Sequence, residues 1–139
     1  MAQRILAVDD EAHILHVVCM KLRNAGFEVI TAVDGEEALE LAKAEKPDLI
    51  ISDYQMPIMS GMEFLKALRK CAEMKTVPAI MLTARGFDIE DGELAEAGIS
   101  AVLAKPFSPR EVLEKVQQLL PAAGAEVGVQ PRSAMSQVA

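Results

Sequence analysis

RILAVDDE, residues 4–11, is a short apolar run that ends abruptly in three acidic residues. A continuous apolar run of this length is typical of a strand that is buried on both faces of a parallel sheet. We therefore predict a strand over Arg4–Val8, with Asp9, Asp10 and Glu11 immediately after its carboxyl end.

The same alternation continues along the chain. Four further apolar runs predict strands over Phe27–Ala32, Leu49–Ser52, Ala79–Leu82 and Ala101–Ala104. Stretches with helical periodicity lie between and after them, and predict helices over Ala12–Asn24, from Asp34 to about Glu45, from Ser60 to about Cys71, over Asp88–Ala97, and from Ser108 onward. Asp34, Ser60 and Ser108 each precede a glutamate by three positions, the pattern of a capping box.

Five strands that alternate with five helices indicate an α/β protein with a parallel sheet, helices on both faces and right-handed crossovers. Five such units fit a flavodoxin-like, doubly wound sheet of order 2-1-3-4-5. We expect residues 1–120 to form this one domain. Residues 121–139 have no helical or strand period, and we expect them to form a flexible tail.

Composition excludes several classes of function. The 139 residues include 14 Lys and Arg against 21 Asp and Glu, a net charge of −7 that disfavours nucleic-acid binding. No apolar run approaches the ~18 residues of a membrane span and no signal-peptide pattern is present, so we expect a cytoplasmic protein without membrane contact. The chain has no glycine pattern for nucleotide binding. His13 and His16 could share a helix face, but no third metal ligand accompanies them.

Polar residues follow four of the five predicted strands. Asp9 and Asp10 follow the first, Asp53 the third, Thr83 the fourth and Lys105 the fifth. Ligands bind outside the carboxyl ends of the strands in sheets of this kind, and strands 1 and 3 are neighbours in the predicted order. We therefore expect the three aspartates to converge.

Three close carboxylates need either a proton or a cation among them. Two unit charges 4 Å apart repel by about 4 kcal/mol at an effective dielectric constant of ~20. An all-oxygen site that keeps several waters favours Mg²⁺ over Ca²⁺. With Lys105 and Thr83 beside it and no activated Ser, Cys or His nucleophile, the group suits phosphoryl transfer onto an aspartate.

Four segments of the chain together resemble the signature of the response-regulator receiver domain of two-component signalling. They are VDDE at 8–11, DYQMPIMSG at 53–61, TA at 83–84 and KPF at 105–107. They occur in the order and at the strand ends typical of that family, and the resemblance extends over roughly residues 4 to 120.

The resemblance implies a role for each matching residue. Asp53 would accept the phosphoryl group. Asp10, Asp53 and the backbone carbonyl of Gln55 would bind Mg²⁺ directly, and Asp9 would act mainly through a water molecule or by holding the acidic pocket. Lys105 would pair with Asp53 and then with the phosphoryl group.

The remaining signature positions have more specific implications. Thr83 would donate a hydrogen bond to a phosphoryl oxygen, and the Lys105–Pro106 peptide bond would be cis. Gln55 and Arg85 lie where the family tunes phosphoryl lifetime. Val102 departs from the family, which usually has Tyr or Phe three residues before the lysine. The resemblance therefore does not extend to the usual coupling of the threonine to an aromatic ring.

The function that follows is a single-domain receiver that takes a phosphoryl group from a sensor histidine kinase or a histidine phosphotransfer protein. It would signal through a downstream protein target and, beyond promoting its own phosphorylation and dephosphorylation, would not be an enzyme. A fragment of a longer regulator with an output domain is the main alternative. An aspartate-nucleophile phosphatase of the haloacid-dehalogenase type would need a DxD pair after strand 1, whereas Asp9 and Asp10 are adjacent here. A flavin carrier would need more aromatic residues than the one Tyr and four Phe of this chain.

Overall fold

The computed structural model describes residues 3–56, 58–83 and 91–120. Within them, the strands are β1 (Arg4–Val8), β2 (Glu28–Ala32), β3 (Leu49–Asp53), β4 (Ala79–Thr83) and β5 (Ile99–Ala104). The helices are α1 (Ala12–Asn24), α2 (Gly35–Glu45), α3 (Gly61–Leu68), α4 (Asp91–Ala97) and α5 (Pro109–Leu119), with a short 3₁₀ helix over Ala72–Met74. No described helix is long and apolar enough to cross a bilayer.

The five strands form one parallel sheet in the order β2-β1-β3-β4-β5, which confirms the predicted fold class. In β1, side chains alternate between the two faces, so Ile5 and Leu6 enter different apolar clusters although both are fully buried. One cluster lies under α1 and α5, and the other lies under α2, α3 and α4. The strand order reverses between β1 and β3, and the carboxyl ends of these two strands therefore flank a crevice.

The observed bounds differ from the predicted ones at several ends. Helix α3 stops at Leu68 rather than near Cys71, because its last turn tightens: Cys71 donates its N–H to the carbonyl of Leu68. Strand β5 begins two residues early, at Ile99, opposite an irregularity in its register with β4. The predicted start of α4 at Asp88 and the predicted tail at 121–139 lie outside the described residues.

Two of the three predicted capping boxes are complete. Ser60 and Ser108 each accept the N–H of the glutamate three positions on, whose carboxylate accepts the serine N–H in return. At α2, Asp34 accepts the Glu37 N–H, but the Glu37 carboxylate accepts from Val33 instead of Asp34. The prediction for the Glu37 carboxylate was therefore wrong by one residue, because its donor is the N–H of Val33 and not that of Asp34.

Candidate functional site

The carboxyl ends of β1, β3, β4 and β5 surround an open cleft of about 540 Å³. Its lining contains acidic, amide, hydroxyl and amino side chains, contributed by Asp10, Glu11, Asp53, Tyr54, Gln55, Met56, Thr83 and Lys105. The sheet thus gathers the strand-end residues that the sequence analysis singled out, although they are widely separated along the chain.

Three aspartates meet just beyond the carboxyl ends of β1 and β3, and two of them, Asp10 and Asp53, line the cleft. One carboxylate oxygen from each of Asp9, Asp10 and Asp53 lies within 4.8 Å of the other two. Strand pairing accounts for the proximity, because Val8 lies opposite Ser52 and the next residues along the two strands are Asp9 and Asp53. Asp9 and Asp53 are buried, whereas Asp10 is exposed.

Lys105 brings a positive charge to the same point. Its Nζ lies 3.1 Å from Oδ1 of Asp53, 3.0 Å from Oε1 of Glu11 and 3.5 Å from Oδ2 of Asp9. The backbone holds this position, because the Lys105 N–H donates to the carbonyl of Thr83 at 2.8 Å. One ammonium group therefore faces three carboxylates.

The electrostatics of the cleft follow from burial and from this crowding. Burial, with the neighbouring Asp9 carboxylate, raises the pKa of Asp53 to about 6, although Lys105 opposes the shift. Burial also raises the pKa of Asp9. Burial disfavours the charged form of Lys105, but hydrogen bonds to Glu11 and Asp53 outweigh it and raise the Lys105 pKa to about 12. The cleft therefore has an excess of negative charge that a cation would offset.

Asp9 supports a cation site by its hydrogen bonding. Its Oδ1 accepts the N–H of Glu11 at 2.9 Å, whereas its buried Oδ2 has no hydrogen-bond partner in the part of the chain that the structure describes. The Lys105 ammonium, 3.5 Å away, is an ion-pair partner of this oxygen but makes no hydrogen bond to it, and a bound cation would supply the missing contact. The donors are all oxygen atoms, which suits a hard divalent cation such as Mg²⁺.

Gly61 fixes the segment that follows Asp53. A Cβ at Gly61 would lie 2.1 Å from the Asp53 carbonyl oxygen, so only glycine lets α3 begin this close to β3. The Gly61 N–H also donates to the carbonyl of Tyr54 at 2.9 Å and closes the loop between β3 and α3. The loop that contains Gln55 is therefore attached at both ends.

Of the other predicted site residues, Thr83 and Gln55 line the cleft, whereas Val102 does not. Thr83 is buried at the end of β4 and lines the cleft, as does the exposed Gln55. The Lys105–Pro106 bond is cis, as the resemblance implied. Val102 is half-buried and packs against the cluster under α2, α3 and α4 rather than lining the cleft.

Arg85 lies outside the described residues. Glu11 is a member of the site that the sequence analysis did not single out, since an acid there was equally typical of a helix start. Its hydrogen bond to Lys105 lowers the pKa of Glu11. The available signal for Glu11 was its position as the third acidic residue of the DDE run after β1.

Comparisons with known proteins agree with this geometry. The family model described as "Response regulator receiver domain" matches residues 5–117. The alkaline phosphatase synthesis transcriptional regulatory protein PhoP of Bacillus subtilis is 43% identical over 120 residues, which are 86% of this chain and 49% of that protein. The phosphate regulon transcriptional regulatory protein PhoB of Escherichia coli is 37% identical over 86% of this chain and 52% of its own length. The chain thus spans about half the length of these curated relatives.

Solved structures give the same result. The chemotaxis response regulator CheY4 of Vibrio cholerae superposes with a TM-score of 0.81 and 41% identity, over 86% of this chain and 100% of that one. The receiver domain of the sensor histidine kinase PA1611 of Pseudomonas aeruginosa has a TM-score of 0.78 and 29% identity, over 87% and 99%. That structure is described as having a magnesium ion coordinated in its active-site cleft.

Proposed function

The chain belongs to the response regulator receiver family of two-component signalling, and we propose that it accepts a phosphoryl group on Asp53 from a phosphohistidine protein. The observation that supports this most is the position of Asp53: a buried carboxylate at the base of an open cleft, 3.1 Å from the Lys105 ammonium. Family membership leaves the haloacid-dehalogenase-type phosphatase and the flavin carrier without support.

The transfer exchanges one bond to phosphorus for another. An Oδ atom of Asp53 attacks phosphorus, the new O–P bond forms as the P–N bond to the histidine ring breaks, and the ring nitrogen keeps the electron pair. Hydrolysis reverses the state: water attacks phosphorus, the O–P bond to Asp53 breaks, and inorganic phosphate leaves. The chain would therefore promote only its own phosphorylation and dephosphorylation.

Mg²⁺ is the proposed cofactor, with Asp10, Asp53 and the Gln55 carbonyl as direct ligands and Asp9 acting through water. The ion, when bound, would neutralise charge on the phosphoryl oxygens. The residues fit it, because three carboxylate oxygens lie within 4.8 Å and one buried acceptor of Asp9 has no hydrogen bond among the described residues.

Lys105 and Thr83 would recognise the phosphoryl group once it is attached. The Lys105 ammonium already contacts Asp53 and can transfer its hydrogen bond to a phosphoryl oxygen. The Thr83 hydroxyl lies at the end of the neighbouring strand β4 and would donate a second bond. These two contacts would pass the change to the backbone around β4 and β5.

We propose that output is through a downstream protein that binds the altered surface, within the cytoplasm, and that residues 1–120 are the receiver unit. PhoP and PhoB are named transcriptional regulators and the chain matches about half of each. An output domain joined to this receiver is therefore the competing interpretation, in which the phosphorylation chemistry at Asp53 is the same.

Labelling with radioactive acetyl phosphate tests the proposal. We expect the wild-type chain to incorporate label in the presence of Mg²⁺ and to lose nearly all incorporation in excess EDTA. Asp53→Asn should abolish labelling, whereas the matched surface variant Asp48→Asn should be labelled like the wild type. Equal labelling of Asp53→Asn would show that the acceptor lies elsewhere.

A further inference from the structure

Ile58 combines two features that do not favour folding. It is 72% exposed, more than any other large hydrophobic residue that the structure describes, and its φ angle is +71°. A β-branched side chain is strained in the left-handed region, where glycine and asparagine are tolerated. A glycine or asparagine would therefore suit this backbone better than isoleucine does.

At Lys46, a left-handed backbone conformation has a clear structural reason. Lys46 is the other non-glycine residue with positive φ in the described part of the chain, at +50°, and it ends helix α2 as a left-handed cap. Its N–H donates to the carbonyl of Ala42 at 3.0 Å, as such caps do. Ile58 ends no helix and its side chain is exposed. Residues that adopt an unfavourable backbone conformation with no stabilising structural role are found most often at functional sites.

The position of Ile58 points to the cleft. It lies in the loop between β3 and α3, two residues beyond Met56, which lines the cleft together with Tyr54 and Gln55. The neighbouring residue, Met59, packs against Gly35 so closely that a Cβ there would lie 2.7 Å from the Met59 Cβ.

That contact joins the loop to the segment between β2 and α2. This segment carries Val33, which is also exposed. Ile58 and Val33 thus lie on adjoining loops at the edge of the sheet where the cleft opens. We call these two residues the apolar rim.

The chemistry of the site limits what can occupy the apolar rim. A phosphoryl group can reach the buried Asp53 only through the mouth of the cleft. A small phosphodonor fits inside the cleft, whereas a protein that presents a phosphohistidine is larger than the cleft and must rest on the loops around it. Burial of an apolar side chain against such a protein would stabilise the complex, whereas the same exposed side chain does not stabilise the isolated receiver.

We propose that Ile58 is a specificity-determining contact for the phosphohistidine protein that phosphorylates Asp53, packing into an apolar depression on that protein. This inference rests on the proposed function. It assigns to the apolar rim a part in recognising the donor and none in the chemistry at phosphorus.

Three variants test it. Ile58→Asn removes the apolar contact and suits the left-handed backbone. Ile58→Leu keeps an apolar side chain of the same size. Lys46→Asn makes the same kind of change at the left-handed cap of α2 and is the matched control. Each is assayed for transfer from an autophosphorylated sensor kinase that labels the wild-type chain, for labelling by acetyl phosphate, and for its thermal unfolding midpoint.

We expect Ile58→Asn to lower kcat/KM for transfer from the kinase by about ten-fold, through KM, as for loss of one buried interface contact. Its labelling by acetyl phosphate should match the wild type and its unfolding midpoint should stay level or rise. Ile58→Leu and Lys46→Asn should transfer normally. Equal kinase transfer by Ile58→Asn overturns the inference and leaves the proposed function intact. Transfer from the same kinase to Asp53→Asn at the wild-type rate overturns both, because the phosphoryl group would then be accepted by another residue.

Discussion

The environment of Asp53 differs strongly from that of an exposed carboxylate. This residue is buried beside Asp9, and its pKa rises to about 6 even though Lys105 lies 3.1 Å away. In an unfolded chain the same group loses its proton near pH ~4. Between these values the folded chain binds more protons, so the free energy of unfolding contributed by Asp53 falls as the pH rises from about 4 to about 6.

Asp53→Asn should therefore stabilise the metal-free chain at neutral pH. Asparagine does not titrate, so we expect its free energy of unfolding to exceed that of the wild type by about 1–3 kcal/mol above pH ~6. The difference should shrink as the pH falls from about 6 towards about 4 and should vanish only below pH ~4, where the wild-type carboxyl is protonated in both states. Urea unfolding in EDTA across this range measures it, and a variant less stable than the wild type at pH 7 would contradict the expectation.

Lys105 is expected to couple the phosphoryl group to the rest of the chain. Replacing it with alanine removes charge-assisted contacts, each typically contributing about 1.5–3 kcal/mol. We expect Lys105→Ala to fold and to be phosphorylated by acetyl phosphate, but to lose the phosphorylation-dependent change in hydrogen exchange over residues 91–104. Lys46→Ala is the control, since its ammonium lies in an exposed ion pair with Glu73. A wild-type exchange response in Lys105→Ala would rule out this role.

Single residues of the site were predictable only where the backbone alone positions them. Asp53 and Thr83 end strands, and strand ends follow from hydrophobic pattern. Glu11 was missed because its contact with Lys105 depends on side-chain conformation, which periodicity does not specify. The positive φ of Ile58 was hidden for a similar reason, since isoleucine does not mark a left-handed position in a sequence.

Among the elements, α3 and its loop hold the cleft together, and two glycines provide a matched test. Gly61 begins α3 against the Asp53 carbonyl, where a Cβ would lie 2.1 Å away, whereas a Cβ at Gly92 in α4 would meet nothing within 4 Å. We expect Gly61→Ala to lower the free energy of unfolding by about 1–3 kcal/mol through overpacking and to slow labelling of Asp53. Gly92→Ala should raise stability by up to about 1 kcal/mol, because alanine loses less backbone entropy than glycine on becoming helical and Gly92 lies within α4.

Chemical unfolding and acetyl-phosphate labelling of both variants measure these effects. Wild-type labelling and stability in Gly61→Ala would mean that α3 can move away from β3 without disturbing the cleft. A lower free energy of unfolding in Gly92→Ala would show that contacts of this position, and not its helix propensity, determine its effect on stability.

Element type was easier to predict than element ends. The capping boxes at Ser60 and Ser108 predicted the starts of α3 and α5, because side-chain caps are local chemistry. The end of α3 and the start of β5 were wrong by two or three residues. Tertiary contacts intervene there: the Arg69 side chain donates to the carbonyls of Ala97 and Gly98, next to the start of β5.

At the scale of the whole molecule, the sheet order brings the functional groups together. The order 2-1-3-4-5 was predictable from five alternating βα units, and it makes β1 and β3 neighbours. That adjacency places Asp9 and Asp53 at the same edge. The apolar clusters on both faces of the sheet then hold these charged groups close together.

Binding of Mg²⁺ should offset the charge that the fold concentrates. We expect Mg²⁺ at about 100 times its Kd to raise the free energy of unfolding by about 2.7 kcal/mol at pH 7. The gain should shrink as the pH falls through about 6, because a proton on Asp53 competes with the ion. The fluorescence of Tyr54, the one tyrosine in a chain without tryptophan, should titrate with the metal. Asp53→Asn should weaken both responses, and equal stabilisation by K⁺ at matched ionic strength would exclude a specific site.

The most direct test of the central claim is to locate the phosphoryl group by peptide mass spectrometry after treatment of the wild-type chain with acetyl phosphate and Mg²⁺. We expect one phosphoryl group per chain, on the peptide that contains Asp53 and at that residue. A phosphoryl group on any other residue, or no modified peptide under these conditions, would contradict it.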